Sequence, residues 1–112
     1  MSHLADYVDR NLFDAGGHTL SIYYNRIVRR ADSHIWNPTS KLVLPVGSIT
    51  WAESVTILQE EGTTGVFPVI ISKDLPASTY DIVIYKQLGS VPQNTDDVER
   101  QSELKQGSIF GF

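Results

Sequence analysis

The residues of this chain best suited to bind a metal ion are its three histidines, His3, His18 and His34. A zinc site needs several imidazole, thiolate or carboxylate ligands at short, regular spacings. The histidines are instead spread over the N-terminus, the start of a predicted strand and a polar turn, and the chain has no cysteine. We therefore interpret all three as surface residues and predict no metal site.

Two pairs of adjacent carboxylates, Glu60-Glu61 and Asp96-Asp97, are the next candidates for chemistry. A calcium loop needs oxygen ligands at spaced positions, and a glycosidase needs two carboxylates facing each other across a cleft. The sequence indicates neither arrangement, and it lacks a Gly-x-Ser-x-Gly elbow, a His-Glu-x-x-His helix and a Walker loop. We interpret the pairs as solvated acids on turns, and we expect a protein that is not an enzyme and has no cofactor.

Three aromatic residues, Tyr23, Trp36 and Trp51, could serve binding instead. Aromatic rings stack on sugar faces, so Tyr23 and Trp36 are candidates for a glycan platform. The other interpretation is that the rings belong to the core, since large aromatic residues dominate the cores of small domains. The sequence favours the core and leaves the glycan platform as the alternative.

Composition narrows the classes of partner. The 112 residues carry 9 basic and 13 acidic side chains, for a formal net charge of -4. A nucleic-acid-binding surface needs clustered basic residues, and the one short cluster, Arg26 with Arg29 and Arg30, is interpreted as a solvated strand end. No apolar run approaches the length of a membrane span, and the N-terminus lacks the pattern of a signal peptide. We expect no nucleic-acid partner and no membrane partner.

The elements that position these residues are predicted to be β-strands. From Thr19 onward apolar residues alternate with period two, and turn residues separate short runs. The predicted strands are 19–28, 35–37, 41–44, 54–59, 66–72, 80–87 and 108–112. Residues 89–106 are polar and are predicted to form a long loop, with one helical turn from Asp96. This pattern predicts an all-β antiparallel sandwich over residues 18–112.

The approach to one strand carries the clearest fold signal. The turn Leu75–Thr79 delivers Tyr80 into the apolar run Asp81–Tyr85. Immunoglobulin-like sandwiches enter a late core strand in this way, with the tyrosine ring packed inward and its hydroxyl bonded to the preceding loop. We therefore predict an immunoglobulin-like β-sandwich in which Tyr80 is buried.

Residues 1–17 differ from the rest of the chain. Apolar side chains recur there at helical spacing, and Gly16-Gly17 ends the segment as a flexible joint. The segment is predicted to be a short helix or an extended arm that docks either on its own sandwich or on a neighbouring subunit. Its candidate assembly residues are Leu4, Tyr7, Val8, Leu12 and Phe13.

Two strands are apolar on both faces, which a monomeric two-layer sandwich does not require. In 80–87, Tyr80, Ile82 and Ile84 face one way, whereas Val83 and Tyr85 face the other. The second face suggests a surface covered by a partner or by another copy of the chain. Val83 and Tyr85 are therefore added to the candidate assembly interface.

A set of motifs taken together resembles a small immunoglobulin-like β-sandwich module of tailed-bacteriophage structural proteins. The motifs occur in the family's order over residues 19–87 and are Trp36-Asn37, Trp51, Thr63–Phe67, Leu75–Tyr80 and Val83–Gln87. Ser78 departs from the usual glycine, and Pro92–Lys105 is longer than the usual loop. The resemblance implies a virion component assembled in the host cytoplasm, non-enzymatic and homo-oligomeric, contacting other virion proteins in capsid decoration, at the neck or on the tail. The alternative function is carbohydrate binding through Tyr23 and Trp36.

Overall fold

The computed structural model describes residues 7–107, with the side chains described from Leu12 onward. Within these residues eight strands follow one another. They are β1 (Tyr7–Asp14), β2 (Tyr23–Arg29), β3 (Ile35–Asn37), β4 (Leu42–Leu44), β5 (Thr56–Ile57), β6 (Val66–Ile71), β7 (Ser78–Lys86) and β8 (Asp97–Gln106). Two single-turn 3-10 helices, Val46–Ser48 and Ala52–Ser54, lie between β4 and β5.

The strands form two antiparallel sheets. The larger has the order β4-β3-β2-β7-β8, and β5 pairs with β2 next to β3. The smaller is formed, among the described residues, by β1 and β6. Every strand pair is antiparallel, so the predicted all-β antiparallel class is confirmed.

One continuous core lies between the two sheets. Alternate residues of β6 point inward and are buried, whereas Ile70 between them is exposed. The large sheet contributes buried side chains from β2, β3 and β7. The core residues from the two sheets include Phe67, Val69, Ile71, Tyr23, Ile27, Trp36, Tyr80, Ile82 and Ile84. This shared core makes the two sheets the layers of a sandwich.

Tyr80 occupies the position that the sequence predicts. Its side chain is fully buried, and its hydroxyl donates a hydrogen bond of 2.7 Å to the carbonyl oxygen of Pro76. Ser78 begins β7 and has no positive φ, so the serine causes no backbone strain in the turn. The buried ring and the tied-back hydroxyl fix the direction in which the chain enters β7.

The predicted long loop over residues 89–106 is wrong in its second half. Asp97–Gln106 is a ten-residue strand that pairs with the whole of β7, including Tyr80 with Leu104 and Ile82 with Ser102. It is an edge strand whose inward side chains are mostly polar, so the sequence lacks the apolar alternation that indicates a strand. Backbone pairing to β7, which no local pattern reports, determines its conformation.

Other strands also have bounds that differ from the predicted ones. The strand predicted from Thr19 begins at Tyr23, and Leu20 is 91% exposed. The strand predicted over 54–59 shrinks to Thr56–Ile57. The predicted closing strand, 108–112, lies outside the described residues.

Of the two conformations predicted for the N-terminal segment, a short helix or an extended arm, the structure shows the extended one over Tyr7–Asp14, which forms β1. β1 pairs with β6 of the same chain, with a register shift between Asp9 and Phe13. Pairing with a free strand edge satisfies the backbone of a segment too short to be a stable helix alone. Tyr7 and Val8 are described by their backbone pairing with Ile71 and Ile70, and Leu4 lies outside the described residues.

Phe13 shows where the segment docks. Its ring lies 4.8 Å from the Tyr23 ring and 6.0 Å from the Phe67 ring, and its side chain is buried. Leu12 beside it is 40% exposed. Of the two docking alternatives, the described residues therefore show the segment packed on its own sandwich.

The glycine joint between β1 and β2 is a fixed corner. Gly16 and Gly17 have φ of 87° and 145°, in the region where glycine carries no steric penalty. A Cβ at Gly65 would collide with the backbone of Gly17. The amide of Ala15 donates to the carbonyl oxygen of Gly65 at 2.8 Å. The expectation of a flexible joint is wrong here, because close backbone contact holds the corner in place.

We expect Tyr80→Phe to lower the free energy of unfolding by about 0.5–1.5 kcal/mol, since it removes the hydroxyl and its bond to Pro76 but leaves the ring in the core. Tyr80→Ala should cost about 3–5 kcal/mol, because it also leaves a cavity in the core. Urea denaturation followed by fluorescence measures both values, with the exposed Val98→Ala as the control. A loss below about 1 kcal/mol for Tyr80→Ala would be that of a surface residue and would contradict the assignment.

Phe13→Ala should cost about 3–5 kcal/mol by the same cavity rule, and Leu12→Ala far less, because Leu12 is partly exposed. Removing residues 1–17 should destabilise the domain for the same reason. Equal and small effects of the two substitutions, measured by denaturation of the full chain, would indicate that β1 does not dock on its own core.

Candidate functional site

The predicted chemistry-bearing residues do not converge on one place. His18 pairs with Glu60, Nδ1 to Oε2 at 2.9 Å, and His34 lies 3.4 Å from Asp32. Among the described residues no three histidine, aspartate or glutamate side chains are grouped closely enough to hold a metal ion. His3 lies outside that range. Each described histidine thus lies beside one carboxylate.

The predicted glycan platform is wrong, because Tyr23 and Trp36 are only 6% and 3% exposed. Both rings belong to the core between the sheets. Stacking on a sugar requires an accessible ring face, and these faces pack against protein. The core interpretation of the two residues is the one that the structure supports.

Val83 and Tyr85 are covered by the chain itself. They form a second buried cluster with Tyr24, on the outer face of the large sheet, and Trp51 and Val55 pack over it. The Tyr85 ring stacks on Tyr24 at 5.2 Å. The inference that a partner covers this face is wrong, because the segment that precedes β5 covers it.

The carboxylate of Asp96 organises this outer face. It accepts hydrogen bonds from the Tyr24 hydroxyl at 2.6 Å, from the Gln93 amide at 2.9 Å and from the Leu88 amide at 3.1 Å. The indole of Trp51 donates in turn to the Tyr24 hydroxyl at 3.0 Å. One carboxylate thus ties the β7–β8 loop to β2 and to Trp51.

Asp96 corrects a sequence interpretation, since it is 7% exposed and not a solvated turn acid. Burial pushes the pKa of Asp96 upward, but the hydrogen bonds from Tyr24, Gln93 and Leu88 outweigh burial and hold that pKa below its usual value. Burial first, and then the bond to Asp96, raise the pKa of the Tyr24 hydroxyl well above its ordinary range. In the sequence Asp96 stands out only as one of two adjacent acids on a predicted turn, and nothing there indicates the buried tyrosine that its carboxylate contacts.

Arg26 lies on this network. Its guanidinium carbon sits 3.7 Å from the centre of the Trp51 ring. Its Nε donates at 2.8 Å to the Ser54 hydroxyl, which donates at 2.7 Å to the carbonyl oxygen of Trp51. A guanidinium stacked on an indole and held at Nε has little rotational freedom left.

Arg26 opens onto a cleft of about 400 Å³. The cleft lies on the outer face of the large sheet, under the segment that follows β4. Its walls are mainly apolar and are formed by Arg26, Val28, Ser33, Ile35, Val46, Ile49, Trp51 and Asn94. The cleft therefore combines one positive charge with an apolar surface.

The three arginines of the basic cluster differ in their partners. Arg29 pairs with Asp32 at 2.7 Å, and Arg30 pairs with Asp81 and Glu103, each at 2.5 Å. Within the described part of the chain no carboxylate lies within ion-pair distance of Arg26. Arg26 is therefore the arginine of this cluster whose charge is left available to a ligand.

Apolar side chains are exposed at one end of the large sheet. The backbone pairing brings the start of β2, the end of β7, the start of β8 and β5 together there. Of the ten large hydrophobic side chains exposed among the described residues, six lie at this end. We name this surface the apolar end; it consists of Leu20, Ile22, Ile57, Leu88, Val91 and Val98.

Comparison of the chain with protein-family models, with curated proteins and with solved structures gives no match. Over residues 7–107 no helix has the length and hydrophobicity that a membrane span requires.

We expect Asp96→Asn to lower the free energy of unfolding at neutral pH by about 1–3 kcal/mol, because it disturbs three hydrogen bonds at a buried group. The lowered pKa of Asp96 means that its contribution is fully present above the unfolded value of about 3.9 and is lost as the pH falls through the folded value. Stability of the variant should therefore depend less on pH below about pH 4.

Denaturation curves at a series of pH values measure this effect, with the exposed Asp97→Asn as the matched control. Some pH dependence should persist, since the pKa of Asp32 is also lowered, to about 2, by its hydrogen bonds with Arg29. Identical acid profiles for Asp96→Asn and the unmodified protein would contradict the role given to Asp96.

Proposed function

We propose that this protein is a non-enzymatic structural subunit of a tailed-bacteriophage virion, which acts through contacts with other virion proteins and with copies of itself. In this proposal the fold is an immunoglobulin-like sandwich assembled in the host cytoplasm, and the mature location is the virion. The resemblance of the motifs between Trp36 and Gln87 to phage structural modules is the starting point.

The geometry of Tyr80 supports the immunoglobulin-like part of the proposal. A tyrosine that enters a core strand and bonds the backbone a few residues upstream is typical of these sandwiches, and Tyr80 does so with Pro76. The other motif residues are also architectural. Trp36 fills the core, and the Asn37 side chain accepts bonds from the amides of Thr39 and Ser40 in the turn that follows.

The apolar end is the observation that carries the proposed function. Large apolar side chains left exposed in one region of a small domain are typical of sites of contact with other proteins. Ile57 on β5 is paired with Tyr24, Ile22 immediately precedes β2, and Leu88 and Val91 come from the loop that follows β7. Covering these side chains contributes about 25 cal/mol for each Å² of apolar surface removed from water, which favours association with another protein subunit.

Two measurements test the proposal. Light scattering on the purified full chain should show self-association that Ile22→Ser combined with Ile57→Ser weakens. Leu42→Ser is the control, since Leu42 is also exposed but lies outside the apolar end, on the edge strand β4. Mass spectrometry of purified particles of the phage that encodes the chain should find the protein among the virion components.

Absence of the protein from such particles would overturn the virion assignment. If the unmodified chain, the double variant and the Leu42→Ser control are all strictly monomeric, the role of the apolar end is overturned. A catalytic activity that co-purifies with the protein in every independent preparation would overturn the proposal that the protein is not an enzyme.

A further inference from the structure

We propose that the Arg26–Trp51 cleft binds an acidic side chain, aspartate or glutamate, presented by an extended segment of a partner protein next to an apolar residue. The site shares no residue with the apolar end, so the two proposals can fail independently. It goes beyond the proposed function by assigning a binding site and the chemistry of what it recognises.

The first support is the unused hydrogen-bonding capacity of Arg26. A guanidinium has five N–H donors, and only the Nε–H of Arg26 has an acceptor among the described residues. The four N–H bonds of its two terminal nitrogens are left for a ligand. Two parallel N–H donors in a planar fork match the two oxygens of a carboxylate.

The second support is that Arg26 is held in place before any ligand arrives. Trp51 stacks on the guanidinium and Ser54 accepts from Nε. Trp51 is itself oriented by the hydrogen bond that its indole donates to the Tyr24 hydroxyl. That hydroxyl donates in turn to the carboxylate of Asp96. A ligand therefore spends little binding free energy on ordering the arginine side chain.

The third support is the contrast with the neighbouring arginines. Arg29 and Arg30 stabilise the fold, because their guanidinium groups form ion pairs with carboxylates of the same chain. The chain has more acidic than basic residues overall, yet no described carboxylate pairs with Arg26. A cation left without an acid partner beside apolar walls is complementary to an incoming anion.

The chemistry of the walls selects among anions. The single positive charge of Arg26 matches the single negative charge of a carboxylate. A phosphate or a nucleic-acid backbone is bound instead by several arginines or lysines. Val28, Ile35 and Ile49 line the cleft beyond Arg26, so the group next to the carboxylate should be apolar. The cleft is open to solvent and does not enclose a ligand as small-molecule pockets do, which favours a segment of a protein lying across it.

The test uses the full chain and two sets of capped tripeptides. One set is acetyl-Leu-Glu-Leu-amide and its variants with Val or Phe at the flanking positions, and the other replaces Glu by Gln. Binding is followed by the NMR resonance of the Arg26 Nε–H and by the fluorescence of Trp51. Peptides with Glu should bind at least about tenfold more tightly than those with Gln, the low end of what charge-assisted hydrogen bonds contribute.

Three variants locate the effect. Arg26→Gln should abolish the preference for Glu, and Arg26→Lys should retain only part of it, since lysine keeps the charge without the planar fork. Arg30→Gln also removes one arginine charge, from the residue that directly follows β2, and should leave the preference for Glu unchanged. Thermal melting of each variant verifies that the fold is intact.

Equal binding of the Glu and Gln peptides, or a preference that persists in Arg26→Gln, would overturn the site. The same holds if no Glu peptide shifts the Arg26 resonance at millimolar concentration. Butyrate, a free carboxylate on an apolar chain, is titrated as a second kind of ligand in the same binding experiment. If it binds as tightly as the Glu peptides, the cleft recognises a small carboxylic acid and the assignment to a protein segment is wrong.

Discussion

The antiparallel pairing of β2 with β7 is the interaction on which the rest of this structure depends. Seven residue pairs join the two strands, from Tyr23–Lys86 to Arg29–Tyr80. β3, β5 and β8 attach directly to this pair, and β4 attaches through β3. Both strands carry large apolar side chains on both faces, so each face must be covered. β1 and β6 cover one face, and Trp51 with Val55 covers the other.

Features coded by nearby residues could be predicted from the sequence. Tyr80 and its turn, β6 and the short strand at Ile35–Asn37 depend on local alternation and turn chemistry, and they lie where the pattern indicates. β8 could not be found, because an edge strand needs no apolar face of its own and its ladder to β7 leaves no periodic signal. For β1 the sequence left a helix and an extended arm as alternatives, because the choice depends on an edge of β6 that lies more than fifty residues away.

The candidate site was missed for the same physical reason. Arg26, Trp51 and Asp96 are far apart in sequence, and only the closed sheet brings them onto one face. The basic cluster illustrates the limit of reading charges along a chain. Its three arginines look alike in sequence, but two have acids of the same chain as partners and the third lies on an indole at the edge of a cleft. Their distinct roles follow from which strand or turn faces each of them.

The connectivity of the β2–β7 pair has a consequence for synthesis on the ribosome. The first residue of β7, Ser78, is translated almost fifty residues after the last residue of β2, Arg29. β1 waits in the same way for β6. Neither layer of the sandwich can close until most of the chain has left the exit tunnel, and pairings between such distant segments form slowly. Until β6 and β7 emerge, the nascent polypeptide therefore exposes Tyr23, Ile27 and Trp36 without their partners, and such transiently exposed apolar side chains favour aggregation.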